Sequence, residues 1–449
     1  MRRVELKIVN SKIFLENGIV EAGVAVDKGK IVRIAKDPNL PPSDTTIDSR
    51  KMLMLPGVVD VHVHLRDMNL SYKEDFSSGT EAAVIGGVTT VLDMPNTFPP
   101  TTNAERLREK ISKASNMIYS NVGFFGAFPL EPNEASKIME EGAVGFKLYL
   151  NDPQYDSFRK EPMLTRSLRL MKSSDCLVAI HAEFQHEQRE KREPSNLDGE
   201  IRHFVSSHAP QLEVDAVSMC AKAARESSVH IHICHLSTEM ALNIINGEKG
   251  RQVPLTTEVT PHHLLLSDEE LYHFGSYAKM VPPLRTKRDC DSLMRGLTSG
   301  AIDIIASDHA PHANVEKDEG FADAPSGIPG LETMLSLILT EMTKGRITLK
   351  RIVQTMSENP SRSFNLKNIG KISEGYNADL TLVDLAKEKT IDAQSFHSKA
   401  KYTPFEGRLV KGIPVLTIVN GIPVMQDGEI IGKPGSGRIV KHVAVPLAP

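Results

Sequence analysis

The sequence has few cysteines, no long apolar run and no large excess of charge of one sign. Its four cysteines form no CxxC pair, which excludes a thiolate zinc knuckle and a CxxC redox motif. No run approaches the roughly twenty apolar residues of a membrane span, and the charged residues 2–7 interrupt any apolar signal segment. The net charge is −4 with both signs mixed, so no basic surface for nucleic acid is expected. We therefore expect a cytoplasmic protein that binds neither membrane nor nucleic acid.

The middle of the chain alternates strand-like and helical segments. Eight apolar runs are each followed by a helical pattern, as in residues 103–115 and 214–226. Eight such βα units predict a (β/α)8 barrel of the TIM type, whose functional residues lie at the carboxyl ends of its strands. The predicted strands are residues 57–64, 88–94, 121–127, 144–150, 176–182, 229–235, 254–259 and 301–307.

Both ends of the chain have a different pattern, in which short strand-like segments are joined by turns. Residues 27–30 and 420–421 are typical of hairpin turns. We expect one small β-sandwich domain from residues 1–55 with 373–449, and the barrel from residues 56–372. The predicted strands of this small domain include residues 4–9, 24–26, 31–34, 378–384, 414–419 and 422–425.

Histidines and one aspartate follow several of the predicted barrel strands. His62 and His64 lie two residues apart at the end of the first run, so their side chains share one face. His181 and His235 follow the fifth and sixth runs, and Asp308 follows the eighth within a DHAPH motif. Grouped imidazoles and a carboxylate predict a metal site. The alternative for the first pair is two hydrogen-bonded polar residues in a tight loop.

Lys147 lies in the fourth predicted strand, where a protonated amine is costly to bury and cannot bind a cation. Carbamylation by carbon dioxide would give this side chain two anionic oxygens that can bridge two metal ions. Four histidines and a carboxylate also exceed the ligands that one catalytic zinc needs. The alternative is an unmodified lysine paired with a nearby carboxylate.

These motifs together resemble those of the dihydroorotases of the amidohydrolase superfamily, along essentially the whole chain. DVHVHLR at residues 60–66 and ASDHAPH at 306–312, with Lys317 further on, match the two signatures of that family. Five shorter matches support the resemblance, and the set is far more specific than any one of its members. They are GGVTT at 86–90, MPNT at 94–97, HAE at 181–183, HLST at 235–238 and GLET at 330–333.

The resemblance implies two zinc ions bridged by carbamylated Lys147 and a hydroxide. The GFKLYL run at residues 145–150 is typical of the branch that uses lysine rather than aspartate. Asp308 would also act as the catalytic residue that moves a proton between the bridging water and the substrate nitrogen. The implied ligands of one ion are His62, His64 and Asp308, and those of the other are His181 and His235.

The same resemblance implies dihydroorotate and N-carbamoyl-L-aspartate as substrates. The Arg66 guanidinium can grip the substrate carboxylate with two hydrogen bonds, and Asn96 and His312 would complete this clamp. Residues 313–329 are expected to form a loop over the site. Within that loop, Ser326 and Gly327 fall where the family makes backbone contacts to substrate. The alternatives are a structural salt bridge for Arg66 and a turn role for Asn96.

The remaining histidines and two departures from the family complete the expectations. His230, His232, His262 and His263 are interpreted as structural, the last two as bonding loop backbone, and His309 as supporting the metal site. The chain reads DMN at residues 67–69 where many relatives read EPG, which changes a loop. It also has Val281 where many relatives have asparagine. A polar substrate contact is therefore absent or supplied by another residue.

Two other functions fit parts of the pattern. Another cyclic amidase, such as an allantoinase or hydantoinase, would have nearly the same metal site but no use for the Arg66 guanidinium. A non-catalytic scaffold of the same fold would be expected to have lost metal ligands, whereas every expected ligand is present. Family analogy favours a homodimer, and a complex with a pyrimidine-pathway partner is also consistent with the sequence.

Overall fold

The middle of the chain forms parallel strands and the two ends form a mixed sheet that is largely antiparallel. The structure is a computed structural model that describes residues 2–16, 18–131, 133–174, 176–185 and 196–442. In chain order, its strands are β1 (Val4–Leu15), β2 (Gly18–Asp27), β3 (Lys30–Ala35), β4 (Ser43–Asp48), β5 (Leu53–Pro56), β6 (Val58–Val63), β7 (Val88–Asp93), β8 (Asn121–Phe124), β9 (Gly126–Ala127), β10 (Phe146–Tyr149), β11 (Leu177–His181), β12 (His230–Ile233), β13 (Leu255–Val259), β14 (Ile304–Ile305), β15 (Leu380–Thr390), β16 (Leu409–Val419), β17 (Ile422–Gln426), β18 (Glu429–Ile430) and β19 (Ile439–Val440).

Helices connect the barrel strands and cover their outer side. They are α1 (Phe76–Ile85), α2 (Ala104–Ala114), α3 (Asn133–Glu141), α4 (Glu161–Met171), α5 (Leu197–Ser207), α6 (Pro210–Ser227), α7 (Glu239–Lys249), α8 (Pro261–Leu265), α9 (Glu269–Phe274), α10 (Lys287–Ser299), α11 (Asn314–Lys317), α12 (Met334–Thr343), α13 (Leu349–Val353) and α14 (Asn359–Ser363). Among the described helices, none is both long enough and apolar enough to cross a membrane.

Eight parallel strands form the barrel, and the third is divided into β8 and β9. The ring closes between the first and last strands, where Val63 pairs with His309 and the His64 amide donates to the His309 carbonyl over 2.8 Å. Strands β6 and β7 are buried along their whole length, because helices cover one face and side chains fill the other.

All eight predicted barrel strands are confirmed. The seventh, which contains two threonines, is β13, and the eighth is the short β14. Beside this short strand, two backbone amides donate to carboxylates rather than to the carbonyls of a neighbouring strand. The Thr257 amide donates to Asp303 at 2.8 Å, and the Ser307 amide donates to Asp60 at 3.1 Å. The predicted helices 103–115 and 214–226 correspond to α2 and to part of α6.

Strands β1–β5 and β15–β18 form one nine-stranded sheet in the order β18-β17-β16-β15-β5-β1-β2-β3, with β4 beside β1. Ile13 of β1, Ile31 of β3 and Leu382 of β15 share one apolar core, so the sheet folds over as the predicted sandwich. The exact boundaries of the two domains stay a prediction. Residues 1, 17 and 443–449 of the predicted small domain lie outside the described residues.

Asp379 joins the small domain to the barrel. Its carboxylate accepts from the Asn420 amide at 2.7 Å and from the Asn121 side chain of β8 at 3.2 Å, while its carbonyl accepts from the Gly57 amide at 2.8 Å. Burial raises the pKa of Asp379 to about 6, against the hydrogen bonds that lower it. The folded protein therefore binds a proton here more tightly than the unfolded chain does.

A raised carboxyl pKa stabilises the folded state at low pH, and that contribution is lost as the pH rises through the folded pKa. Wild type should therefore lose this contribution between about pH 4 and about pH 7, whereas Asp379→Asn cannot. We expect the free energy of unfolding of the variant, relative to that of wild type, to rise by up to about 3 kcal/mol over this range. Urea unfolding at both pH values measures this difference. The exposed Asp44→Asn should follow wild type at both, and a constant gap for Asp379→Asn would contradict the prediction.

Candidate active site

The predicted site residues come together at the carboxyl end of the barrel. A cavity of about 300 Å³ opens there, and all of the predicted residues except Lys147 line it. The cavity-lining members of the predicted set are His62, His64, Arg66, Asn96, His181, His235, Asp308, His312, Ser326 and Gly327. Arg66, His235 and Asp308 have positive φ angles of 57°, 32° and 47°, a conformation uncommon for such residues and frequent at functional sites.

The Asp308 carboxylate lies between two histidines of the first strand. Its Oδ1 is 3.3 Å from Nε2 of His62 and 3.2 Å from Nε2 of His64. The other ring nitrogens are engaged: Nδ1 of His62 faces Glu258, and Nδ1 of His64 lies 2.7 Å from Oδ1 of Asn96. Oxygen acceptors at both Nδ1 atoms place the proton of a neutral ring there. Two Nε2 lone pairs then face a carboxylate, an arrangement that a cation would stabilise.

The charges around His62 point the same way. Burial and Lys147 oppose a charge on this imidazole, but Glu258 and Asp308 outweigh them and raise the pKa of His62 to about 10. Burial opposes ionisation of Asp308 too, yet the neighbouring His62 and His64 hold its pKa well below the usual range. The two carboxylates therefore favour a positive charge at this point, and either a proton or a metal ion meets that need.

His181 and His235 form the second half of the cluster. Nδ1 of His181 lies 2.9 Å from Nε2 of His235, and the His235 ring centroid is 5.3 Å from that of His62. Burial lowers the pKa of both histidines, so they are neutral and able to bind a metal. Nε2 of His181 lies 3.6 Å from Oε2 of Glu183, and Nδ1 of His235 has no hydrogen-bond partner among the described residues. One donor atom each from His62, His235 and Asp308 lies within 4.8 Å of the others, a spacing that fits a metal ion.

Lys147 lies beneath these histidines and is fully buried. Its Nζ is 2.9 Å from Sγ of Cys234 and 3.4 Å from Nε2 of His62. No carboxylate forms an ion pair with this amine in the part of the chain that the structure describes, in contrast to the alternative of a lysine paired with a carboxylate. The amine therefore lies within reach of the histidine cluster without a fixed counter-ion.

Arg66 supplies a buried positive charge on the other side of the cavity. Its Nε donates to the Pro311 carbonyl at 3.2 Å, and burial lowers its pKa. Across the described ranges, no carboxylate forms an ion pair with the guanidinium, which argues against the structural salt bridge. A buried guanidinium without a counter-ion is costly unless a ligand supplies the negative charge.

His312 contacts this guanidinium, and Asn96 lines the same cavity. Lys73 Nζ lies 3.0 Å from Nδ1 of His312, and an ammonium group can only donate, so Nδ1 is the acceptor. The ring proton is therefore on Nε2, which donates to the Ser326 carbonyl at 3.0 Å. Nη2 of Arg66, which lies 3.1 Å from that Nε2, therefore finds no acceptor there. Since Oδ1 of Asn96 accepts from His64, its amide group is left to donate. Arg66 and Asn96 therefore present hydrogen-bond donors to the cavity, while the His312 N–H is directed to the Ser326 carbonyl.

The Gly327 amide does not fit the expected backbone contact to substrate. Its amide already donates to the Lys279 carbonyl at 2.9 Å, so this N–H is not available to a substrate. Its φ of 140° and its contacts explain the glycine instead, because a Cβ would lie 2.4 Å from the Ala310 carbonyl oxygen. Ser326 lines the cavity, with its carbonyl directed to His312.

Several residues that line or support the site were not predicted. His263 bonds the Pro282 carbonyl as expected, but its neighbour His262 lines the cavity rather than bonding loop backbone. Tyr149 also lines the cavity, and its position two residues past Lys147 in the same strand was the available signal. Val281 lines the cavity as well, so the departure from the family lies in the cavity wall.

Glu258 of β13 orients the histidines from below. One of its oxygens faces Nδ1 of His62 and also accepts from the His235 amide at 3.1 Å, and the other lies 3.0 Å from Nε2 of His232. His232 therefore supports the site through Glu258. The His309 carbonyl accepts from the His64 amide, and Nδ1 of His309 accepts from the Gly330 amide at 3.1 Å.

Comparison with known proteins gives one family and a consistent set of relatives. Residues 53–424 match the amidohydrolase family. A dihydroorotase of Pyrococcus horikoshii is 39% identical over 446 residues, covering 98% of this chain and 97% of its own. Dihydroorotases of Methanosarcina mazei and Lactobacillus acidophilus are 33% and 35% identical, covering 97% and 94% of this chain and 98% and 99% of theirs.

Solved structures of the same fold include two hydantoinases. L-hydantoinase (dihydropyrimidinase) from Arthrobacter aurescens has a TM-score of 0.90 at 29% identity, covering 98% of this chain and 100% of its own. D-hydantoinase from Thermus sp. has a TM-score of 0.86 at 25% identity, covering 97% and 99%. The chain is thus less similar in sequence to these two hydantoinases than to the three dihydroorotases.

The role of Glu258 predicts a loss of metal affinity on its replacement. In Glu258→Gln, one of the two oxygens becomes an N–H donor, so His62 or His232 loses its acceptor. We expect the affinity for zinc to fall about 10- to 100-fold, as for other carboxylates behind a histidine ligand. Competition with a chelator measures this affinity. The exposed Glu388→Gln is the control, and equal affinity in Glu258→Gln and wild type would contradict the prediction.

Proposed function

Because this chain belongs to the dihydroorotases of the amidohydrolase family, we propose that it interconverts N-carbamoyl-L-aspartate and (S)-dihydroorotate in de novo pyrimidine (UMP) biosynthesis. Ring closure releases water, and the reverse reaction hydrolyses the cyclic amide. The observation that carries the proposal is the buried Arg66 guanidinium. It faces the cavity beside the histidine cluster and forms no ion pair within the described residues.

Membership of this family implies a metal cofactor, and we propose two zinc ions. His62, His64 and Asp308 would bind one, His181 and His235 the other, and carbamylated Lys147 would bridge them. The fit rests on the donor set: Nε2 of His62 and Nε2 of His64 face the Asp308 carboxylate, and Nδ1 of His181 lies 2.9 Å from Nε2 of His235. When bound, the ions would supply an activated hydroxide and polarise the carbonyl under attack.

The side chains hold the substrate and move one proton. Arg66, Asn96 and His312 would bind the ring carboxylate, which fixes the orientation of the amide over the cluster. In the hydrolytic direction, Asp308 accepts a proton as oxygen attacks the ring carbonyl. It returns that proton to the ring nitrogen as the C–N bond breaks. Against the effect of burial, the neighbouring His62 and His64 lower the pKa of Asp308, so this carboxylate is ionised before it takes up a proton.

The other functions fit less well. A hydantoinase shares the fold and the metal ligands, but a neutral ring gives Arg66 no carboxylate to bind. A non-catalytic scaffold would not need the complete set of predicted ligands around one cavity. A homodimer or a complex with a pyrimidine-pathway partner stays a prediction from sequence alone.

The role of Arg66 predicts a change in substrate preference. In Arg66→Met, kcat/KM for dihydroorotate should fall about 100-fold or more, because a charge-assisted bond to a buried carboxylate is lost. The slow turnover of neutral rings such as dihydrouracil should stay within a few-fold of wild type. Asp308→Asn should abolish turnover of every ring, and the exposed Arg288→Met should change nothing. If kcat/KM fell equally for charged and neutral rings in Arg66→Met, Arg66 would not act as the carboxylate clamp.

The proposed carbamate predicts a linked loss of metal and activity in Lys147→Gln. This variant cannot form the bridging anion, so we expect fewer bound zinc ions and at least a roughly 100-fold loss of kcat. Elemental analysis gives the metal content, and NMR of wild type prepared with isotope-labelled bicarbonate detects the carbamate carbon. The exposed Lys137→Gln is the control. Full metal content and full turnover in Lys147→Gln would rule out the bridge.

A further inference from the structure

Two buried lysines hold the loop that forms one wall of the cavity. Lys279 Nζ donates to the carbonyls of Phe321, Ala322 and Ala324 at 2.6, 2.9 and 2.7 Å. Lys317 Nζ donates to the carbonyls of Pro325 and Gly327 at 2.8 and 3.2 Å and approaches that of Lys279 at 3.5 Å. We refer to residues 320–327 as the cavity loop. Its carbonyls are thus gathered around two ammonium groups.

Burying two ammonium groups without carboxylate partners costs free energy. Lys279 is 8% exposed and Lys317 is fully buried. Neither forms an ion pair with a carboxylate among the described residues. Burial lowers the pKa of both, and the nearby Lys279 helps to lower that of Lys317 to about 7. Backbone carbonyls and the aromatic faces of Phe204, Phe321 and Tyr402 therefore offset the burial of two positive charges. So many partners gathered around two amines point to a role beyond packing.

The carbonyls of residues 325–327 point in alternating directions, which indicates what Lys317 does in the cavity loop. Those of Pro325 and Gly327 turn toward Lys317, whereas that of Ser326, between them, turns the other way and accepts from Nε2 of His312. Lys317 thereby fixes which way the Ser326 carbonyl faces. His312 in turn lies 3.1 Å from Nη2 of Arg66. A chain of contacts therefore runs from the buried amine to the proposed carboxylate clamp.

Lys279 fixes the loop from its other side. While its amine holds three carbonyls, its own carbonyl accepts from the Gly327 amide at 2.9 Å. Met280 and Val281, the next two residues, line the cavity. The backbone at Lys279 therefore connects one wall of the cavity to the loop that forms another.

We propose that Lys279 and Lys317 are positioning residues for substrate binding, which hold the cavity loop in the shape that keeps Ser326, His312 and Arg66 aligned. This inference rests on the proposed function only in the identity of the ligand, a ring that carries a carboxylate. The lysines do not touch the reacting atoms. They act through the loop, so they determine how well the substrate is held rather than how fast the held substrate reacts.

Methionine variants test the inference, since methionine has nearly the length of lysine without its charge or its donors. In Lys279→Met and Lys317→Met, the released carbonyls should turn to water and the loop should open. We expect faster hydrogen exchange in residues 318–329 and a KM for dihydroorotate raised about 10- to 100-fold, with kcat within a few-fold of wild type. The assays are run below pH 7, where the lowered pKa of Lys317 still leaves most of its amine protonated.

Two further variants separate positioning from general stability. Lys249→Met is the control for the loss of a partly buried amine, because Lys249 also donates to a backbone carbonyl, that of Ala301, although it pairs with Asp303 as well. Lys249 does not line the cavity. It should lower the melting temperature without changing KM. Lys317→Gln keeps two N–H donors and serves if Lys317→Met does not fold. Its KM should lie between those of wild type and Lys317→Met.

Hydrogen exchange needs no substrate, so it separates a failure of this inference from a failure of the proposed function. Faster exchange confined to residues 318–329 supports the positioning role even if dihydroorotate is not the substrate. Unchanged exchange in both methionine variants overturns it whatever the substrate is. In an enzyme that turns over dihydroorotate, a loss confined to kcat with an unchanged KM overturns it as well.

Discussion

The barrel closes between its first and last strands, and the active site depends on that closure. The His64 amide donates to the His309 carbonyl, and the Asp60 carboxylate accepts from the amides of His62 and Ser307. These bonds bring the two ends of the barrel sequence together and place Asp308 against both histidines. They also hold Asp308 at a positive φ, a conformation that an unconstrained loop would not keep. Backbone bonds thus position the proposed metal ligands before any metal binds.

The charges of the site are separated into two regions with the cavity between them. Carboxylates lie around the histidine cluster, whereas positive side chains without carboxylate partners lie around the clamp and behind the cavity loop. Among the described residues, charges of the opposite sign are few in each region: the Lys147 amine lies beside His62, and Glu316 lies 3.7 Å from Nδ1 of His312. Metal ions would supply such charges on one side, and the carboxylate of a substrate on the other. The negative region contains Glu258 and Asp308, and the positive region contains Arg66, Lys279 and Lys317.

Local sequence patterns predicted most of this arrangement. Spacing of two in a strand placed His62 beside His64, and the rule that barrel function lies at strand ends placed Lys147 with them. What the patterns missed depends on partners distant in sequence. Glu258 acts on His62, 196 residues away, and gives no spacing signal of its own. Adjacent histidines in α8 cannot be distinguished by sequence, although His263 bonds backbone and His262 faces the cavity.

The most direct test of the account compares two rings that differ mainly in their carboxylate. The zinc-loaded wild-type protein is assayed with dihydroorotate and with dihydrouracil, and kcat/KM is measured for each. The buried Arg66 guanidinium predicts a preference for dihydroorotate of about 100-fold or more, since only that ring supplies the missing negative charge. Equal turnover of both rings, or a preference for dihydrouracil, would contradict the account and place the chain with the hydantoinases in function.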